Sequence, residues 1–224
     1  MVVILNLIPV LTYPFYIFYV AIHELGHVFA ARLINNRVIG FWVFSDATGV
    51  TESEGSRKLT PFEYLIAFSA GYIGTTLFVA WLILLTGLPH LAHFSLGILG
   101  GLLIFLMFLY GKQGPNKSIP KSRVTLISTA VIGILLIGIA WLAPLEWSIF
   151  ILYILAIEGA FVSLHLITDD LAAQVENRQS KIDPDMVAKN VGCSPRFWQV
   201  AWSFLSIVIL GAAFWFTWLR NWPV

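Results

Sequence analysis

The residues with the most chemical capability stand together near the start of the chain, where it reads His23-Glu24-Leu25-Gly26-His27 inside a long apolar run. Histidines at i and i+4 share one helical face about one turn apart, so both imidazoles can reach a single metal ion. Glu24 lies beside them without ligating. Its carboxylate can take a proton from water and later hand one to a leaving amine. The chemistry this implies is metal-assisted hydrolysis with Glu24 as the base. Ionisable groups within an apolar span are costly, roughly 2.5–3.5 kcal/mol for an Asp at mid-bilayer, so three polar groups in five residues call for a compensating partner, which a metal supplies. The plainer reading of the same residues is a buried His/Glu cluster that hydrogen-bonds helices together.

A site of this kind takes a third protein ligand and leaves one position open. His90 and His93 fall on the far side of the expected bilayer and are poor candidates. Glu158, His165 and Asp169 are spaced by seven and four residues, which places them on one polar stripe of one helix. Asp169 is expected at the same membrane depth as His27, so it is the first choice for the third ligand, followed by its neighbour Asp170 and then His165. An interfacial acidic pair with a capping role is the ordinary alternative for Asp169 and Asp170. Glu158 lies about 16 Å along the helix from Asp169, and is expected as a buried hydrogen-bonding partner or the lining of an aqueous path. A small-residue face (Ala67, Gly71, Thr75, with Ala70 and Gly74 alongside) lets a second helix approach the first closely. That face can serve helix packing alone, or it can bring Gly71, Gly74 and Thr75 into contact with substrate.

The elements that must position these residues belong to a membrane protein. Of 224 residues, 58% are hydrophobic and 11% charged, against about 25% charged in an ordinary soluble domain. A soluble enzyme, a disordered chain and a nucleic-acid binder are excluded on these figures. One cysteine, Cys193, excludes a disulfide framework and a cysteine-based zinc site. The expected fold is an all-α membrane domain of about six spans, near 2–33, 62–86, 91–110, 124–143, 147–167 and 198–219. Pro9 and Pro14 predict a kinked or re-entrant lead-in before the first span proper, and no basic residue precedes the run as a signal peptide would require. Val38–Phe44, the turn-rich Ser45–Gly49 and Val50–Ser53 predict a short β-hairpin after the first span. Asp183-Pro184 reads as a helix start, Gly192 as a stop and Ser194-Pro195 as the start of the last helix. The stretch 111–121 reads as a basic solvated loop, with contact to anionic lipid as the alternative. Twelve of the thirteen Lys and Arg residues fall in alternate loops, leaving only Arg220 on the other side. Basic loops stay in the cytoplasm, so both termini are expected outside a plasma (inner) membrane.

These residues resemble the site-2-protease-like (M50) intramembrane zinc metallopeptidases, specifically the compact M50B-like branch. The resemblance rests on the His-Glu-Leu-Gly-His of the first span, Gly49-Val50-Thr51 in the hairpin and Ala70-Gly71 in the second span. Thr168-Asp169-Asp170-Leu171 at the end of a later span adds to it, as does the approach to the last helix through Gly192, Cys193 and Trp198. It implies one zinc ion per chain, with His23 and His27 as ligands, Glu24 as catalytic base and an acid at Asp169 or Asp170 completing the site. It further implies regulated intramembrane proteolysis of a transmembrane protein substrate within the lipid bilayer, near the cytoplasmic face, with no nucleic acid involved. Larger members carry an Asn-containing signature near the small-residue face and a Leu-Asp-Gly at the third ligand. Here those stretches read Gly71-Tyr72-Ile73-Gly74 and Asp169-Asp170-Leu171. The rival readings are a di-iron membrane oxidase, which needs more ligands than His23, His27 and His165 supply, and a non-proteolytic membrane metal-binding or scaffold protein that retains the motif.

Overall fold

The computed structural model describes residues 9–44, 48–55, 57–110, 123–175 and 183–220. Within helices, the side chains of 9–11, 110, 123–128 and 168–175 fall outside that description. The basic stretch 111–121 lies outside the described residues. In chain order the elements are α1 (Pro9–Leu33), β1 (Arg37–Val43), β2 (Gly49–Glu54), α2 (Pro61–Thr86), a 3₁₀ turn (Pro89–Leu91) and α3 (Ala92–Tyr110). There follow α4 (Arg123–Leu142), α5 (Leu145–Val175), α6 (Asp183–Val191) and α7 (Pro195–Phe214), which runs into a π-helical turn (Trp215–Leu219).

α1 is the axis of the molecule. Residues 17 to 25 are buried without a break. A helix that is apolar all round belongs in an interior rather than at a surface, and α1 is enclosed by α2, α5 and the hairpin. That enclosure is what lets His23 and Glu24 sit in it. Pro14 lies inside the helix rather than ending a lead-in. It removes only one ladder bond near the N-terminus, where few are formed.

α2 packs against α1, α5, α6 and α7. Its start is specified locally. Pro61 occupies the first helical position, the Thr60 hydroxyl accepts from the Glu63 amide at 3.3 Å, and the Glu63 carboxylate accepts from the Thr60 amide at 2.8 Å. Arg57 pairs with Glu63 and holds this capping box from the loop side. α1 and α2 run antiparallel, with His27 level with Ala67, His23 with Tyr72, and Tyr19 with Phe78. Their backbones touch: a Cβ added at Gly26 would lie 2.9 Å from the Ala70 carbonyl carbon and 3.2 Å from Gly71 Cα. The small-residue face therefore does bring α2 onto the helix that carries the histidines. α3 and α4 form a separate antiparallel pair, closed at Gly100 and Gly133.

The hairpin forms as the sequence predicts. β1 and β2 are antiparallel, with Phe41 opposite Thr51 and Val43 opposite Gly49, and the register slips between Val38 and Gly40. Phe41, Trp42 and Val43 are all buried, so β1 lies inside the protein and β2 is the more exposed strand.

The expectation of about six spans is met in part. Among the described residues four helices are long and apolar enough to cross a membrane: Pro61–Thr86, Pro89–Leu109, Leu145–Ile167 and Pro195–Leu219. The described apolar part of α4, Thr129–Leu142, is shorter. α1 differs in composition: its second half carries His23, Glu24, His27 and Arg32, which lower its hydropathy.

Candidate metal centre

Four segments converge on the inner half of α1. His23 and His27 project from successive turns, with their Nε2 atoms 3.1 Å apart. Asp183, the first residue of α6, places Oδ2 3.4 Å from His23 Nε2 and 3.0 Å from His27 Nε2. These three donors, two imidazole nitrogens and a carboxylate oxygen, are of the types that bind a divalent ion of the zinc class. A tetrahedral shell with bonds of about 2.0–2.1 Å has ligand-to-ligand edges of about 3.3–3.4 Å, close to the triangle seen here. The three residues could hold a metal ion.

Two further observations fit that use. His27 Nδ1 is 2.7 Å from the Ala67 carbonyl oxygen. A carbonyl only accepts, so Nδ1 carries a proton, and Nε2 is the ring nitrogen that would serve as ligand to a metal. On the α2 side the wall is Gly71. A Cβ there would lie 2.5 Å from His27 Nε2 and collide with His23 Nε2 as well. The absence of a side chain at Gly71 keeps the space in front of both nitrogens open. His23 Nδ1 is buried without a hydrogen-bond partner among the described residues. Tyr72 sets its ring edge-on against His23, with centroids 4.7 Å apart, and stacks on Trp202 of α7 at 4.9 Å.

Asp183 lies outside the spans. Burial alone would raise the pKa of its carboxyl, but the His27 and His23 rings outweigh that and hold it well below the usual carboxylate range. It is therefore ionised, as a ligand must be. α6 is held in place by its own packing: Val187, one turn on, is buried in a cluster with Tyr72, Ile167 and Trp202.

Glu24 points to the opposite wall, formed by β2. The Thr51 hydroxyl donates to Glu24 Oε2 at 2.6 Å and lies 3.1 Å from the Glu24 carbonyl oxygen. A Cβ added at Gly49 would sit 2.7 Å from Glu24 Cδ. A carboxylate thus stands next to a candidate metal triangle with its orientation set from a second element.

A family model described as Peptidase M50B-like matches residues 1–213. The chain belongs to the M50B-like peptidase family. No curated protein and no solved structure matches it. The family and the four apolar helices together make it an integral membrane protein, and a peptidase by family.

For an M50B-like chain the residues singled out in the sequence divide as follows. His23, His27 and Glu24 come together at one site. Gly71 is at that site, as the wall facing the Nε2 atoms of both imidazoles. Gly74 packs on Gly26, with an added Cβ 3.5 Å from Gly26 Cα. The Thr75 hydroxyl is fully buried and bonds back to the Gly71 carbonyl at 2.7 Å, within its own helix. His165 is exposed and meets Tyr16 edge-on at 6.0 Å, away from the His23–His27 pair. Glu158, expected as a buried hydrogen-bonding partner or the lining of an aqueous path, is fully buried, and neither carboxylate oxygen has a hydrogen-bond partner among the described residues. The side chains of Asp169 and Asp170 lie outside the described residues. Ile167, just before them, shares the cluster of Tyr72 and so reaches the level of His23. Asp183 was not singled out as a ligand, because Asp-Pro at a helix start already has a sufficient local explanation. The one signal for it is its place in the long polar segment after α5, two residues before a second acid, Asp185.

Proposed function

We propose that this chain is a zinc-dependent intramembrane endopeptidase that hydrolyses a peptide bond of a membrane protein near the cytoplasmic face. The observation that carries the proposal is the triangle of His23 Nε2, His27 Nε2 and Asp183 Oδ2 with the Glu24 carboxylate beside it. In this reading His23, His27 and Asp183 hold one zinc ion. When bound, such an ion activates water and polarises a scissile carbonyl.

The chain's own residues supply the rest. Glu24 takes a proton from the attacking water at a carboxylate oxygen and returns it to the departing amine nitrogen. His27, fixed through its Nδ1 proton on the Ala67 carbonyl, keeps its ring plane and tautomer. Gly71 leaves the approach clear. A substrate helix hides its amides in i to i−4 bonds and must unwind to be attacked. β2, the more exposed strand of the hairpin, runs past Glu24 and offers the unwound segment a partner for strand addition.

The bond from Thr51 to Glu24 favours hydrolysis over a metal site kept for structure alone, since a structural site has no use for an oriented base. The test is Glu24→Gln in purified full-length protein. Cleavage of a single-span model substrate should be lost while one zinc per chain is retained. A variant that still cuts at the wild-type rate overturns the mechanism.

A further inference from the structure

We propose that Thr51 is a positioning residue for the catalytic base, so that the hairpin sets the orientation of the Glu24 carboxylate. This rests on the peptidase reading for its consequence, but not for its geometry. Gly49 and Thr51 are two apart on β2 and so face the same way, and both meet Glu24. The Thr51 hydroxyl has one proton and two acceptors in reach, the Glu24 carbonyl oxygen at 3.1 Å and Oε2 at 2.6 Å. The nearer oxygen takes the proton. Gly49 forms the other wall. An added Cβ would collide with Oε1 and lie 2.7 Å from both Cγ and Cδ of Glu24. The carboxylate is therefore gripped on one oxygen by a donor and confined at the other by bare backbone.

A Glu side chain has three rotatable bonds, and a base must be held within a few tenths of an ångström of its working place. α1 provides no hydrogen bond of its own to the Glu24 carboxylate among the described residues. The restraint comes from a hairpin twenty-seven positions downstream in the case of Thr51. The same strand is the candidate partner for an unwound substrate. Movement of β2 on engaging a substrate would thus be transmitted to the base through one hydroxyl.

The test uses Thr51→Val, which keeps the shape and strand preference and removes only the donor, and Thr51→Ser, which restores the donor. In the metal-free full-length protein labelled with ¹³C at the Glu carboxyls, the Glu24 resonance is assigned by its absence in Glu24→Gln. It should move in Thr51→Val and return in Thr51→Ser. With zinc and a single-span model substrate, Thr51→Val should lower kcat by about ten- to a hundredfold, the worth of one hydrogen bond to a charged group. KM and zinc content should be unchanged, and Thr51→Ser should recover most of the rate. An unmoved Glu24 resonance, or a Thr51→Val enzyme altered in KM alone, overturns the proposal. A resonance that responds as expected in a protein that never cleaves supports the positioning and overturns the peptidase reading instead.

Discussion

Gly71→Ala is the sharpest probe of the centre, because it adds one methyl group at a known place. That carbon would lie 2.5 Å from His27 Nε2 and against His23 Nε2. Non-bonded contacts of this kind settle near 3.5 Å, so about 1 Å of movement is required. α2 cannot easily retreat. It is in backbone contact with α1 at Gly26 and accepts from His27 Nδ1 through the Ala67 carbonyl. The imidazoles must move instead, and metal ligands tolerate only about 0.2 Å. Misplacement of about 1 Å should lower zinc affinity and turnover by about a hundredfold each. Overpacking should cost about 1–3 kcal/mol of stability, small enough to leave the helices folded. Gly74→Ala is the matched control. Its added carbon meets Gly26 Cα at 3.5 Å, an ordinary contact, and the helix should gain up to about 1 kcal/mol from the better helix former. Zinc titration of both variants against a competing chelator, with circular dichroism to confirm folding, gives the comparison. A folded Gly71→Ala protein that binds zinc as tightly as wild type would refute the reasoning.

Two other outcomes are expected. Asp183→Ala should lose stoichiometric zinc while Asp169→Ala and Asp170→Ala keep it; metal analysis of the three purified variants decides, and full retention by Asp183→Ala removes that residue from the ligand set. Glu158→Met should raise the thermal midpoint, since a buried carboxyl without a hydrogen-bond partner among the described residues costs about 1–3 kcal/mol. A lower midpoint in detergent-solubilised protein would show that the carboxyl is stabilised where it is.

What was legible in the sequence follows from the range of the forces involved. The hairpin was readable because β-branched and aromatic residues from Val38 to Phe44 and a turn cluster act locally; the observed strands, Arg37–Val43 and Gly49–Glu54, differ from the expected ones by one residue at each end. The start of α7 was readable for the same reason: Ser194 accepts from the Phe197 amide at 3.2 Å and Pro195 follows. His23, Glu24 and His27 were readable because one helical turn brings them together. The number of spans was less so, because His23, Glu24 and His27 interrupt the apolar run of α1 and leave it less hydropathic than the four candidate spans. Asp183 was not readable. The argument from a helical stripe compares only residues of one helix, and Asp183 reaches the histidines from a separate helix whose place is set by tertiary packing of Val187. Thr51 was noticed as part of the hairpin, but nothing local ties a strand hydroxyl to a carboxylate on the preceding helix.

Tyr72 lies between His23 and Trp202, edge-on to one ring and stacked on the other. The indole of α7 is thereby one aromatic ring away from a histidine of the centre. A metal bound at that histidine is expected to change the indole's fluorescence, and subtracting the spectrum of Trp202→Phe from that of the wild type isolates it from the other eight tryptophans of the chain. Such a change would give an optical gauge of occupancy, usable in detergent or vesicles before any substrate is known.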